Sequence, residues 1–96
     1  MRKVVAFSVA AAADLNSIWD YTAGEWGVDQ AERYTDGIQD ICNSLARGEK
    51  RGHTVDIRDG YLKQSVGRHL VFYRTTDIGI AVIRILHQRM DVQRHL

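Results

Sequence analysis

Hydrophobic and polar positions recur along this chain with two different periods. Residues 3–7 make a short β-prone run. Ser8 follows and can cap a helix, because its hydroxyl accepts from an unpaired first-turn amide. At about 100° per residue, Ala11, Leu15, Ile18, Trp19, Thr22 and Trp26 fall in one stripe, and Asp14, Asn16, Ser17 and Asp20 fall outside it. That is an amphipathic helix ending near Gly27. A second begins at Asp29, which can cap it, with Glu32 three residues on as in a capping box. Its stripe is Ala31, Tyr34, Ile38, Ile41, Cys42 and Leu45, and Gly48 ends it. The linker, Gly27 and Val28, is so short that the helices must fold back as an antiparallel hairpin with a shared apolar face.

Beyond residue 48 the period changes. Residues 48–60 are polar and glycine-rich and read as a long surface loop. Residues 61–66 and 69–74 are β-prone, with Gly67 and Arg68 able to turn the chain between them. A second turn covers residues 76–79. Residues 80–87 are apolar almost throughout, as in a central strand covered on both faces. The polar tail can end in a helical turn from Asp91. The order is strand, helix, helix, strand, strand, strand. Tight turns make the last three an antiparallel meander, and the first strand must join the same sheet to pair its amides. The expected fold is α+β: an N-terminal strand, an antiparallel two-helix hairpin packed on one face of an antiparallel sheet, and a short C-terminal helical turn, in a single domain spanning residues 1–96. The other sheet face has no helix to cover it.

Composition narrows the class. With 96 residues, 45% hydrophobic and 26% charged, the chain is an ordinary globular domain, not a disordered segment. No apolar run reaches the ~20 residues that span a bilayer, and the basic start Met1-Arg2-Lys3 is not followed by a signal-like core. One cysteine, Cys42, excludes a disulfide framework and a cysteine-built zinc site, so a cytoplasmic protein is expected. Charge is unevenly placed. Residues 1–46 hold three Lys/Arg against seven Asp/Glu, a net −4; residues 47–96 hold ten against five, a net +5, and all four histidines. Such polarity suggests an anionic partner for the C-terminal half, and a mixed solvated surface is the plain alternative.

Arg84 is the sharpest local anomaly, a cation inside the most apolar strand. By alternation it shares a face with Ile80, Val82 and Leu86, opposite Ala81, Ile83, Ile85 and His87. A buried unpaired guanidinium would cost several kcal/mol, so Arg84 should lie on the helix-free face or pair with a carboxylate. With Arg68, His69, Arg74, His87, Arg89, Arg94 and His95 it forms a basic set. RNA cleavage needs a base, an acid and a cation on the phosphate, which His87 with Arg84 or Arg68 could supply. No glutamate or lysine stands beside them in sequence. His69, His87 and His95 lack metal-pair spacing, and the glycines make neither a P-loop nor a dinucleotide fingerprint, so neither metal nor cofactor is expected. Cys42 and the tryptophans Trp19 and Trp26 read as core. Tyr21, off the stripe with Asp14 and Glu25, reads as a partner contact.

Four runs resemble a known family: Leu15 to Tyr21 with Ile18, Trp19 and Asp20; Trp26 to Tyr34 with Gly27, Gln30, Ala31, Glu32 and Arg33; Gly67 to Arg74 with His69, Phe72 and Tyr73; and Arg84 to Asp91 with His87, Gln88, Arg89 and Met90. They resemble the ParE toxins of the RelE/ParE superfamily of type II toxin–antitoxin systems. The resemblance implies a binding inhibitor of DNA gyrase rather than an enzyme. It implies a ParD-like ribbon-helix-helix antitoxin that wraps the toxin in a hetero-oligomeric complex and alone contacts DNA. On that basis the gyrase or toxicity candidates are Arg68, Arg74, Arg84, His87, Arg89 and Arg94. The antitoxin-binding candidates are Trp19, Tyr21, Glu25, Trp26 and Arg33. Related RelE toxins cut mRNA on the ribosome, and the alternative is such an endoribonuclease using Arg68, Arg84 and His87. Arg84 on an uncovered face predicts that Arg84→Ala weakens toxicity more than stability.

Overall fold

The computed structural model describes residues 3–96, so Met1 and Arg2 of the basic N-terminus lie outside the described residues. The chain forms β1 (Val4–Phe7), α1 (Val9–Trp26), α2 (Val28–Ala46), β2 (His53–Thr54), β3 (Leu62–Val66), β4 (His69–Thr76), β5 (Gly79–His87) and α3 (Val92–His95). The strands build one sheet in the order β1-β5-β4-β3-β2. β3, β4 and β5 form the expected antiparallel meander. The sheet is mixed rather than wholly antiparallel, because β1 runs parallel to β5. The topology explains this. The segment holding β2 runs antiparallel to β3 and carries the chain back before β3 starts, so β3 and β5 share the direction of β1. The stretch 48–60 is therefore not all loop: His53 and Thr54 pair with Lys63 and Leu62.

Caps set the helix ends. Ser8 Oγ accepts from Ala11 N at 2.9 Å, as the sequence indicates, and Asp91 Oδ1 accepts from Gln93 N at 3.1 Å, at the expected start of the final helical turn. The start of α2 differs. Gly27, at φ 94°, is at once the C-cap of α1 and the N-cap of α2, and no side chain caps the second helix. A single glycine in left-handed space makes the reversal, so α2 begins one residue before Asp29. Asp29 instead sits in the first turn, where its charge favours the positive helix end. At the far end Gly48 N donates to Leu45 O and Glu49 N to Ser44 O, the double bond pattern that commonly closes helices at a glycine.

Both helices lie on one face of the sheet. The core joins Ala11 and Ile18 of α1 and Ile38, Cys42 and Leu45 of α2 to Leu62, Val71, Tyr73, Ile80, Val82 and Ile85 of the sheet. Each large aliphatic side chain removed from water here contributes about 1.5–3 kcal/mol. Thr22 and Thr35, also buried, return their hydroxyls to the carbonyls of Ile18 and Ala31, which removes the cost of an unpaired polar group. The tryptophans depart from the core reading. Trp19 is half-buried, and Trp26, at the last turn of α1, is 66% exposed. Among the described residues no helix is long and apolar enough to cross a membrane.

Candidate functional site

The site begins with a mismatch in the sheet. Phe72 of β4 pairs with Arg84, and the next residue, Tyr73, pairs with Val82, so Ile83 is an extra residue that bulges. A bulge reverses the alternation beyond it. Ile80 and Val82 face the helices, and past the bulge it is Ile85, not Arg84, that joins them. Arg84 is thus on the helix-free face, as expected, but simple alternation is corrected in one respect: it does not share that face with Ile80 and Val82. It stands opposite the helices beside Phe72. That face is not bare, because Phe72 and Leu86 on it are buried.

Arg84 is also not a free cation. The β1–β5 pairing ends with Phe7 opposite Val82, and among the described residues no strand covers the margin of β5 beyond it. α1 takes over that margin. Ser8 Oγ donates to Ile83 O at 2.7 Å, and Asp14 Oδ2 accepts from Ile85 N at 2.9 Å. Arg84 reaches round the margin and donates to both Asp14 oxygens, Nε and Nη2 each at 2.8 Å. Its third nitrogen, Nη1, meets His95 O at 3.3 Å and ties down α3. The Asp14 carboxylate holds the guanidinium charge even more firmly than usual. The candidate toxicity residue is a structural clamp in this conformation.

On the helix side, a cleft of about 600 Å³ opens between the hairpin and the end of the sheet. α1 contributes Ile18, Tyr21, Thr22 and Trp26; α2 contributes Gln30 and Tyr34; the β3–β4 turn gives Gly67, Arg68 and His69; β5 and its sequel give Ile85, His87 and Met90. Tyr21 and Trp26 meet edge to face at 6.4 Å and form an aromatic lip. The volume and the mix of aromatic wall and few polar groups are those of a binding cleft.

Tyr34 organises the inner end. Its hydroxyl lies 2.7 Å from His69 Nδ1 and 3.3 Å from Val66 O, and accepts from Arg68 N at 3.1 Å. Three partners on one turn make this hydroxyl the latch between α2 and the β3–β4 turn. Gly67 is required beneath it: φ is 57°, and a Cβ there would lie 2.7 Å from the Tyr34 ring. His69 and His87 are direct cross-strand partners with ring centres 5.3 Å apart. Burial, and then the neighbouring His87, hold the His69 imidazole below its ordinary pKa. His87 Nδ1 accepts from Arg89 N at 3.2 Å. Among the described residues the only carboxylate lining the cleft is Asp14, already committed to Arg84 and Ile85.

The sequence candidates are thus divided. Arg68 and His87 line the cleft together; Arg84 belongs to the opposite face. Arg74, Arg89 and Arg94 are exposed, Arg74 at the register of Ala81, Arg94 3.8 Å from Asp91. Of the hairpin set, Tyr21 and Trp26 form the lip, while Trp19, Glu25 and Arg33 do not line the cleft, and Arg33 bonds Gln30 at 3.0 Å. Sequence reasoning missed Tyr34, taken as core, and Met90. A phenol at the end of an apolar stripe was the available signal, since a buried Tyr hydroxyl needs a partner. Among the described residues no three or more His, Cys, Asp or Glu side chains gather as a metal site would require.

Comparison with known proteins agrees with this geometry. The family model described as ParE toxin of type II toxin-antitoxin system, parDE, matches residues 5–92. The chain belongs to the ParE toxin family. Toxin ParE1 of Mycobacterium tuberculosis is 50% identical over 91 residues, 93% of each chain. Toxin ParE1 of Caulobacter vibrioides is 38% identical over 87 residues, 90% of each. Among solved structures, the chromosomal ParDE system of P. aeruginosa superposes with TM-score 0.75 at 19% identity, covering 88% of this chain and 95% of that one. The YoeB dimer of Staphylococcus aureus gives 0.62 at 18% identity, covering 91% and 98%. At these identities the shared feature is the fold: the ParE hairpin-on-sheet architecture.

Proposed function

We propose that this ParE-family chain is the toxin of a toxin–antitoxin pair, that it inhibits DNA gyrase by binding, and that a ParD-like antitoxin silences it from the cleft. The match to the ParE toxins carries the non-enzymatic half of this reading. RNA cleavage calls for a cation and an acid–base pair around one phosphate. Here Arg84 is held bidentately by Asp14 at the sheet margin, and among the described residues the cleft sets Arg68 beside His69 and His87 without a free carboxylate or a lysine. The aromatic lip of Tyr21 and Trp26 supports the antitoxin half, since rigid exposed aromatics concentrate binding energy. Exposed Arg68, Arg74, Arg89 and Arg94 remain as cations for the target, and DNA is reached only through the antitoxin in a hetero-oligomeric complex in the cytoplasm.

The test is a pair of assays on the purified chain. Gyrase supercoiling should stop while ribosome-bound mRNA stays whole, and adding the antitoxin should restore supercoiling. Cut transcripts beside unimpaired supercoiling would establish the ribonuclease alternative instead.

A further inference from the structure

The two margins of the sheet are built differently. The β2 margin is two residues long, and the chain around it carries Lys50, Arg51, Asp56, Arg58 and Asp59. Short strands and charges are the usual means of keeping a sheet edge from pairing. The β1 margin is less protected: its four residues read Val-Val-Ala-Phe, without charge or proline, and the described charge next to the strand is Lys3. Val4 N donates to Ile78 O at 2.7 Å and Ser8 N to Val82 O at 3.0 Å. By strand alternation the amides and carbonyls of Val5 and Phe7 therefore point outward. Among the described residues no strand lies beyond them. Apolar surface flanks the margin beside Lys3 and Asp77: Val9 is 90% exposed and Ile78 54%, with Val4 and Phe7 exposed between them.

We propose that this margin pairs with the same margin of a second copy of the chain, antiparallel about a twofold axis at Ala6. The pairing is self-complementary, as a twofold interface must be. Centred on Ala6, Val5 stands opposite Phe7 of the second copy, and Val4 opposite its Ser8, so no charge meets a like charge within the strand. Val5 and Phe7 carry the outward bonding groups and form the hydrogen-bonded pairs. Ala6 then faces Ala6 in the close, non-hydrogen-bonded position, where backbones approach to about 4.5 Å and a small side chain is wanted. Ala6 is exposed in the single chain and so is available for that contact. Each sheet continues into the other, and Val9 and Ile78 gain apolar cover.

Sedimentation equilibrium of the full chain without antitoxin tests this, with charge variants at the axis. Ala6→Lys and Ala6→Glu each set like charges face to face and should raise the dimer dissociation constant by about tenfold or more. Mixing the two variants should restore the dimer, a rescue that misfolding could not produce. Amide exchange should slow with concentration at Val5 and Phe7 and stay unchanged at Ala6, whose amide already faces β5. A chain that stays monomeric at millimolar concentration overturns the proposal. So does an Ala6→Lys variant that dimerises like the wild type, or a mixture of the two variants that does not re-form the dimer.

Discussion

Removing the Asp14 carboxylate tests the clamp that closes the margin of β5. Asp14 accepts from Arg84 Nε and Nη2 at 2.8 Å and from Ile85 N at 2.9 Å. The Arg84 and Asp14 side chains are 23% and 15% exposed, neither a surface pair nor a fully buried one. Exposed pairs contribute about 0–1 kcal/mol, and breaking a fully buried pair costs about 3–5 kcal/mol. Asp14→Ala also strands the Ile85 amide and a shielded guanidinium, so its cost should be about 2–3 kcal/mol. At about 4–8 °C per kcal/mol for a chain of this size, the melting temperature should fall by roughly 10–20 °C. Asp14→Asn keeps an oxygen for Ile85 and should lose less, about 1–2 kcal/mol. The decisive measurement is a urea-denaturation double-mutant cycle with Arg84→Ala. The double variant should cost less than the two single variants together by about 1–3 kcal/mol. Additive losses, or an Asp14→Ala cost below about 0.5 kcal/mol, would show that the clamp holds nothing. The cycle also reverses the expectation from alternation: Arg84→Ala should lose stability first, with toxicity falling only as folded protein is lost.

Other consequences follow from the cleft and the core. His69 is held below its ordinary 6.5, so the unfolded chain takes up its proton more readily. The stability it contributes is therefore full above about pH 6.5 and is lost as pH falls through the folded value; urea midpoints from pH 8 to 5 should fall, and His69→Gln should flatten that slope. Gly67→Ala forces a Cβ against the Tyr34 ring at 2.7 Å and should cost about 1–3 kcal/mol, while Tyr34→Phe, which keeps the ring, should cost about 1–2 kcal/mol by urea titration. Burial pushes the Cys42 thiol up to about 11, so a thiol reagent at pH 8 should label it only after unfolding. Trp26→Ala should leave melting within about 0.5 kcal/mol of wild type yet weaken antitoxin binding by about 2 kcal/mol in calorimetry; unchanged binding would place the antitoxin elsewhere.

Most of the fold was legible because its signals are local. The Ser8 cap, the stripe of α2, the Gly67 turn and the helical turn from Asp91 each depend on a few neighbouring residues, and each appears where the pattern puts it; the α1 stripe does so except at Trp19 and Trp26. What escaped was set by contacts distant in sequence. Asp29 looks like a cap, but Gly27 reverses the chain in one residue and α2 starts early. β2 is too short to show a period and exists only because β3 is there to pair with it. The site depended on such contacts more than the fold did. Arg68, His87, Tyr21 and Trp26 were visible as an arginine, a histidine and two aromatics, but that they border one cleft is a fact of packing. Arg84 shows the limit most clearly. Strict alternation placed it with Ile80 and Val82, and one extra residue, Ile83, undid that assignment. Nothing in Ile83 itself announces a bulge; an isoleucine fits a regular strand equally well. The bulge becomes intelligible only beside Asp14, seventy positions away from Arg84, which bonds the amide of Ile85 and the guanidinium together. A lone cation in an apolar strand is therefore a question about where its carboxylate lies. In this fold the answer sits on the first helix, among the residues that fell outside its apolar stripe.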